Sequence, residues 1–292
     1  MPVVLQVVAI AVLAPFVQGA MKRLRANLQG RPGPSPFQPY RDLAKLWSKE
    51  ALLPEGVSPL PLMAPGIVLG VALTFAAVLP LASVSRGLDA IVDVVALVFL
   101  LAVGRFVLAL AALDTRSSFA GMAASREMTF SSLAEPTLLL ALLGAAVLGR
   151  GTHLSALLEA PFGLAAMLAF TAFFLVLLAE TARVPIDDQD THYELTMIHE
   201  GLAIEYAGWQ LAMLQFATYV RQLSFLVLGA VLLPGGPAWW MHLPWIVALA
   251  IGISIVETLF AKLRLFEVPQ ILATAFILAA TGIVVRALGV PA

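Results

Sequence analysis

Cysteine is absent from the whole chain, which excludes a disulfide, a thiolate zinc site and a cysteine-ligated iron–sulfur cluster. Any electron carrier that works with this protein therefore belongs to another chain. Charge is scarce as well. Asp, Glu, Lys and Arg make up 12% of the 292 residues, against about 25% in a soluble domain. A net charge of −1 gives no electrostatic case for binding nucleic acid. The first twenty residues lack the basic leader of a signal peptide, because the basic side chains follow the apolar run instead of preceding it. They read as a retained first helix.

What remains is apolar, at 61% of positions, and no soluble fold hides that much hydrocarbon. A closed β-barrel would show segments of about ten alternating residues, whereas here whole runs are apolar on every face. Lipid is the solvent, and the chain reads as an all-α integral membrane protein of about eight transmembrane helices. Because a span needs roughly 20 apolar residues, the runs place spans near 2–20, 62–84, 92–113, 134–149, 162–180, 211–233, 244–261 and 268–286. Polar loops at 21–61, 114–133 and 181–208 join them. There is no internal repeat of the kind that builds inverted-repeat transporters. Lys and Arg in the loops divide twelve to three if the 21–61 loop is cytoplasmic, so the expected orientation puts both termini outside.

Seven carboxylates crowd one stretch: Glu180, Asp187, Asp188, Asp190, Glu194, Glu200 and Glu205, beside His192 and His199. The plain alternative is a solvated acidic loop. Against it, Glu180 closes an apolar helix with no polar turn before it, and Glu205 stands at the mouth of the next span. If 191–206 is helical, Glu194 and Glu205 lie about 20° apart around the axis and line one side of a water path. Sheltered carboxylates suit proton relay, because burial lifts their pKa values toward neutrality. No metal site is expected, since the seven-residue histidine spacing fits no zincin or EF-hand pattern.

Arg105, in mid-span, costs about 2.5–3.5 kcal/mol unless it is paired. Asp93, three turns away, is too distant, so its partner is expected from another helix. Glu257 either snorkels toward Lys262 or extends the relay. Residues 117–132 read as an interfacial helix. The segment Arg41–Trp47, with Arg41 and Lys45, reads as a short amphipathic helix on lipid or a dock for a soluble partner. Trp239, Trp240 and His242 read as an interfacial belt.

Several of these segments, in this order, carry a resemblance. Glu180-Thr-Ala-Arg-Val-Pro-Ile-Asp187, then Glu194-Leu195, then Glu205-Tyr-Ala-Gly208 resembles the signature of the membrane subunit shared by respiratory complex I and the group 4 membrane-bound nickel–iron hydrogenases. Gln38–Leu46 is similar to its first cytoplasmic loop and Arg126 through Glu135-Pro136 to its second. The run His192–Glu200 resembles the hydrogenase branch, that of formate hydrogenlyase and hydrogenase-4. The compressed segment Gly33–Pro39 departs from the quinone-binding branch.

The resemblance implies a subunit with no redox cofactor of its own, in a bacterial or archaeal cytoplasmic membrane. Its implied partners are a hydrogenase-like large subunit carrying the nickel–iron centre, an iron–sulfur small subunit and antiporter-like membrane subunits. By motif position Glu135, Glu180, Asp187, Glu194 and Glu205 would form an acidic relay, with Glu200 and Glu257 joining it. Arg126 and Arg183 would hold loops at the interface with the peripheral arm, together with Arg41, Lys45, His192 and His199. The alternatives are the quinone-site subunit of a complex I relative, with quinone as its ligand, and a stand-alone ion transporter.

Overall fold

The computed structural model describes residues 3–52, 56–81, 93–149, 151–188, 197–235 and 238–288. In chain order the helices are α1 (Val3–Leu28), α2 (Gln38–Trp47), α3 (Leu60–Val78), α4 (Val94–Asp114), α5 (Ser118–Leu148), α6 (Ala156–Glu159), α7 (Leu164–Glu180), α8 (His199–Leu202), α9 (Gly208–Val231), α10 (Leu243–Leu259) and α11 (Val268–Ala287). Among the described residues, seven helices are long and apolar enough to cross a bilayer: α1, α3, α4, α5, α9, the Trp239–Leu259 segment that contains α10, and α11. The shorter apolar α7 has 17 residues, about 26 Å at 1.5 Å each, and completes eight. The protein is an all-α, multi-pass membrane protein.

Its helices pack in a chain of neighbours: α11 on α7 and α5, α5 on α4, α4 on α3, and α3 on α9, which also meets α1, α2 and α10. With no hydrophobic effect between helices in lipid, close packing and polar ties hold the bundle together. Phe75 of α3, Phe173 of α7 and Phe225 of α9 meet at its centre, and the first and last lie edge-on at 5.1 Å. Buried alanines along α5, among them Ala123, Ala134, Ala141 and Ala145, let its neighbours approach closely. Gln6 of α1 donates to the carbonyls of Ala76 and Leu79 at 2.8 and 2.9 Å, capping the end of α3. Tyr40 of α2 donates to the Val12 carbonyl and fastens α2 against α1.

Several boundaries differ from the sequence expectation. The first helix does not stop near residue 20 but runs to Leu28, carrying Lys22, Arg23 and Arg25 on its last turns. The expected interfacial helix at 117–132 and short span at 134–149 are one continuous helix of 31 residues, about 46 Å long at 1.5 Å per residue. Pro136 does not break it, because neighbouring groups in a bundle compensate for the lost backbone bond. His242 is not part of an exposed aromatic belt. It is buried, with Nδ1 at 3.1 Å from the Ala230 carbonyl, while Trp239 and Trp240 are exposed.

Basic and acidic side chains gather where α1, α4 and α7 finish, at the basic end of the bundle. There the chain leaves α7 through a Schellman turn. Arg183 N–H donates to Leu178 O at 2.8 Å and Ala182 N–H to Ala179 O at 3.1 Å, with Ala182 in the left-handed region at φ 51°. This turn folds Arg183 back beneath the helices. Gly208, at φ +56°, starts α9, and a Cβ there would lie 2.2 Å from the Glu50 carbonyl oxygen. Only glycine fits that crossing of the 48–50 loop over α9.

Candidate functional site

Among the described residues, three ion-pair clusters lie at the basic end. In the first, Arg105 of α4 reaches Glu180, the last residue of α7, with Nη1 at 2.5 Å from Oε1. Its Nη2 lies 3.0 Å from Glu135 of α5 without the alignment of a hydrogen bond. Glu180 and Arg105 are 2% and 7% exposed, so their charges are compensated by protein groups and hardly by water. The Glu135 side chain is 31% exposed and holds the outer position. Asp93 instead caps α4, accepting from Ala96 N–H at 2.8 Å.

In the second cluster, His199 of α8 stands between two buried carboxylates. Its Nδ1 lies 3.1 Å from Asp187 Oδ2 and its Nε2 3.4 Å from Glu127 Oε2, while Lys262 Nζ donates to Asp187 Oδ1 at 2.8 Å. Burial works against the charge on His199, but Glu127 and Asp187 outweigh it and raise its pKa above the usual histidine value. Burial likewise pushes Asp187 up. The hydrogen bonds and charges of His199 and Lys262 more than reverse this and hold its carboxyl well below the usual range. Arg126 donates to the Met197 carbonyl at 3.0 Å, so α5 secures the segment that presents His199.

The third cluster joins Arg183 to Glu257 of α10 at 2.8 Å and to Gln18 of α1. Arg25 lies 3.9 Å from the other Glu257 oxygen, beside a cleft of about 280 Å³ that includes Asp188 and Lys262. Arg183 is only 3% exposed. The Schellman turn directs its guanidinium into the bundle, where it ties the chain after α7 to α10 and α1.

Two cavities adjoin these clusters. One, of about 80 Å³ between α3, α4, α8 and α9, is bordered by Arg105, Glu127, His199 and Arg221. The other, of about 370 Å³, lies between α1, α2 and α9 and is bordered by Lys22, Asp42, Lys45 and Lys49. They share Glu200, Gln215 and Thr218, which form the wall between them. A cavity of about 80 Å³ with several polar walls has room for a few waters, but it is below the roughly 300 Å³ of ordinary organic-ligand pockets.

The NADH dehydrogenase family profile matches residues 1–287. The chain belongs to the NADH dehydrogenase family. Among members of that family, hydrogenase-4 component C of Escherichia coli (strain K12) is 32% identical over 91% of this chain and 84% of its own length. Formate hydrogenlyase subunit 4 of the same organism is 30% identical over 91% and 92%. A membrane NADH-quinone oxidoreductase subunit of Syntrophotalea carbinolica is 29% identical over 75% and 71%. The fold of this family member is also that of a chain of the archaeal membrane-bound sulfane sulfur reductase. That chain superposes with a TM-score of 0.84 over 97% of both chains at 20% identity. This NADH dehydrogenase family chain is thus similar to membrane subunits of hydrogenase, formate hydrogenlyase and complex I assemblies.

The site residues expected from sequence distribute unevenly. Glu135, Glu180, Asp187 and Glu257 fall in the three clusters, and Glu200 in the wall between the cavities. Glu205 is half-buried beside Tyr206; burial raises the phenol of Tyr206 to about 12, with the charge of Asp114 adding to the effect. The helical arrangement that would have aligned Glu194 with Glu205 is corrected in part: only His199–Leu202 is helical between 197 and 207, and the chain turns before Glu205. Asp190, His192 and Glu194 lie outside the described residues. Arg41 and Lys45 are exposed on α2. Sequence reasoning passed over Glu127 and Arg221. Glu127 sat in a segment read as interfacial. Arg221 lay inside an apolar span, the same signal that singled out Arg105.

Proposed function

We propose that this chain is the non-redox membrane anchor and proton-coupling subunit of a multisubunit energy-converting nickel–iron hydrogenase complex. In this reading it docks a peripheral arm carrying iron–sulfur clusters and the nickel–iron centre, and passes protons through its carboxylates toward antiporter-like neighbours. The observation that carries it is the gathering of ionisable groups at one end of a hydrocarbon-solvated bundle. Glu135, Arg105 and Glu180 form one cluster and Glu127, His199 and Asp187 another, and both border one small polar cavity. Charges are costly there, and such residues within spanning helices mark ion and proton pathways. Hydrogenase-4 component C and formate hydrogenlyase subunit 4 match more of this chain than the NADH-quinone oxidoreductase relative does, which supports the hydrogenase branch.

In this mechanism Glu200, Gln215 and Thr218 separate the cleft beside α2 from the inner cavity. A proton entering from the cleft meets Glu200, crosses the cavity to Glu127 or Glu180, and leaves by way of Glu135, the outer acid on Arg105. Glu205 flanks the approach, Glu194 joins the relay by motif position, and Glu257 with Arg183 serves a parallel mouth beside Asp188. Arg41, Lys45, Arg126, Arg183 and His199, with His192 by motif position, hold the surface and loops that receive the arm. The excess of Lys and Arg favours cytoplasmic placement of the basic end, with both termini on the opposite side.

The test is activity of the purified complex. Hydrogen evolution from reduced ferredoxin or formate, coupled to proton movement in vesicles, is the expected outcome. Inhibitor-sensitive quinone reduction without hydrogenase activity would overturn the assignment in favour of a quinone-site subunit. Ion transport by this chain alone in liposomes would favour a stand-alone transporter.

A further inference from the structure

Around the inner cavity, Glu135 and Glu180 share Arg105, while Glu127 and Asp187 share His199, with Lys262 on the far oxygen of Asp187. Three cations therefore face four carboxylates in these two groups, with His199 counted as protonated, and Glu200 adds a fifth acid on the cavity wall. Arg221 is the fourth cation. It lies on the face of α9 that turns Leu214 and Thr218 toward the cavity. Among the described residues it makes no hydrogen bond or ion pair. The charges that act on it are Glu180, Arg105 and Glu127, each already engaged by another side chain. A guanidinium within a spanning helix is costly without counter-charge, and here the counter-charge exists but the contact does not.

We propose that Arg221 is the counter-cation of this cluster, a positioning residue whose charge faces Glu127 across the cavity and, beyond Arg105, Glu180. Polar side chains stand on several walls of the cavity, which is roomy enough for a water to bridge the gap. A small anion seated on Arg221 would deepen the excess of acids over cations around the cavity, so the balance assigns Arg221 to the carboxylates. The surroundings fix the sign of its effect. Arg105 comes from α4, Glu127 and Glu135 from α5, Glu180 from α7, and His199 and Glu200 from α8. The α3 wall of Val68, Val71 and Ala72 is uncharged. The remaining neighbours of α9, namely α1, α2 and α10, bring Lys22, Asp42 and Glu257. Arg221 also opposes the charge on His199. Removing it therefore makes every acid and the histidine of the cluster hold its proton more tightly.

This inference rests on the relay reading, and the experiment separates the two. The whole complex is reconstituted in vesicles, and proton uptake per hydrogen evolved is followed against pH for Arg221→Gln and Arg221→Lys, while the pair Arg221→Gln with Glu127→Gln is made to read assembly. Loss of an opposite charge raises the pKa of nearby carboxylates, so the Arg221→Gln profile moves to higher pH. Arg221→Lys returns it to the wild-type position. A wild-type profile in Arg221→Gln, or no rescue by lysine, overturns the proposal. If Arg221→Gln fails to assemble, recovery of assembly in the double variant supports the proposal and its failure to recover overturns it. Glu180→Gln is the control. Intact coupling there sinks the relay reading itself, whereas lost coupling there beside an unaffected Arg221→Gln sinks only this inference.

Discussion

Arg105 stands between two carboxylates that differ chiefly in burial, and this difference fixes what its loss should cost. Replacing it by Leu leaves Glu180 in a site where its side chain is 1% exposed, with no other side chain at hydrogen-bond distance among the described residues. Breaking a buried pair by removing one partner costs about 3–5 kcal/mol, because the remaining carboxylate must either stay charged in a poor medium or take up a proton. Glu135, with a side chain 31% exposed, remains partly solvated, and pairs of that kind are worth about 0.2–1 kcal/mol. A double-mutant cycle on the detergent-solubilised chain, read from unfolding midpoints, should therefore give Arg105 and Glu180 a coupling of at least about 2 kcal/mol. Arg105 with Glu135 should give less than about 1 kcal/mol. Leu at 105 together with Leu at 180 should recover most of the loss, since well-packed apolar residues often replace a buried pair at no net cost. Equal couplings for the two acids, or an Arg105→Leu variant within about 0.5 kcal/mol of the parent, would refute the reasoning.

Three further outcomes follow from local geometry. His199 has a raised pKa, so the stability it contributes is fully present below its unfolded value near 6.5 and is lost as pH rises through its folded value. Asp187, whose pKa is depressed, contributes above about 3.9 and fails only in strong acid. Amide protection across 197–207, taken relative to the intrinsic exchange rate at each pH, should fall on the alkaline side in the parent, and His199→Gln should remove that step; protection independent of pH in the parent would contradict the clasp. Gly208→Ala combines a left-handed backbone with a Cβ 2.2 Å from the Glu50 oxygen. It should cost about 2–4 kcal/mol, and thermal unfolding at the parent temperature would count against that packing. Gln6→Leu strips the donors from the Ala76 and Leu79 carbonyls and should cost about 1–3 kcal/mol, visible as a lower melting midpoint; an unchanged midpoint would show that the cap is dispensable.

The spans were legible because lipid imposes a simple demand: runs of apolar residues long enough to cross it. Their ends were less so. Lys22, Arg23 and Arg25 read as loop, yet a helix can carry long basic side chains out to the interface and continue to Leu28. Pro136 read as a helix start, yet α5 runs through it from Ser118. The density of acids between 180 and 205 marked the right end of the molecule. The pairs themselves were not readable, since Arg105 meets Glu180 and Arg183 meets Glu257 across 75 and 74 positions, and nothing local in a sequence encodes such partners. Arg183 shows the same limit from the other side. Its role depends on a Schellman turn built on Ala182, a residue with no sequence signature for a left-handed conformation. Arg221 could have been flagged by the cost of an intramembrane cation that drew attention to Arg105. Glu127 could not, because its burial depends on α8 lying over α5.

The central claim is that sheltered carboxylates at the basic end couple proton movement to the chemistry of a partner arm. Proton uptake measured beside hydrogen evolution in vesicles bearing the Glu180→Gln complex tests it most directly. The account expects hydrogen evolution to continue while proton uptake falls by at least about tenfold. Uptake at the parental ratio, from an assembled complex, would contradict it.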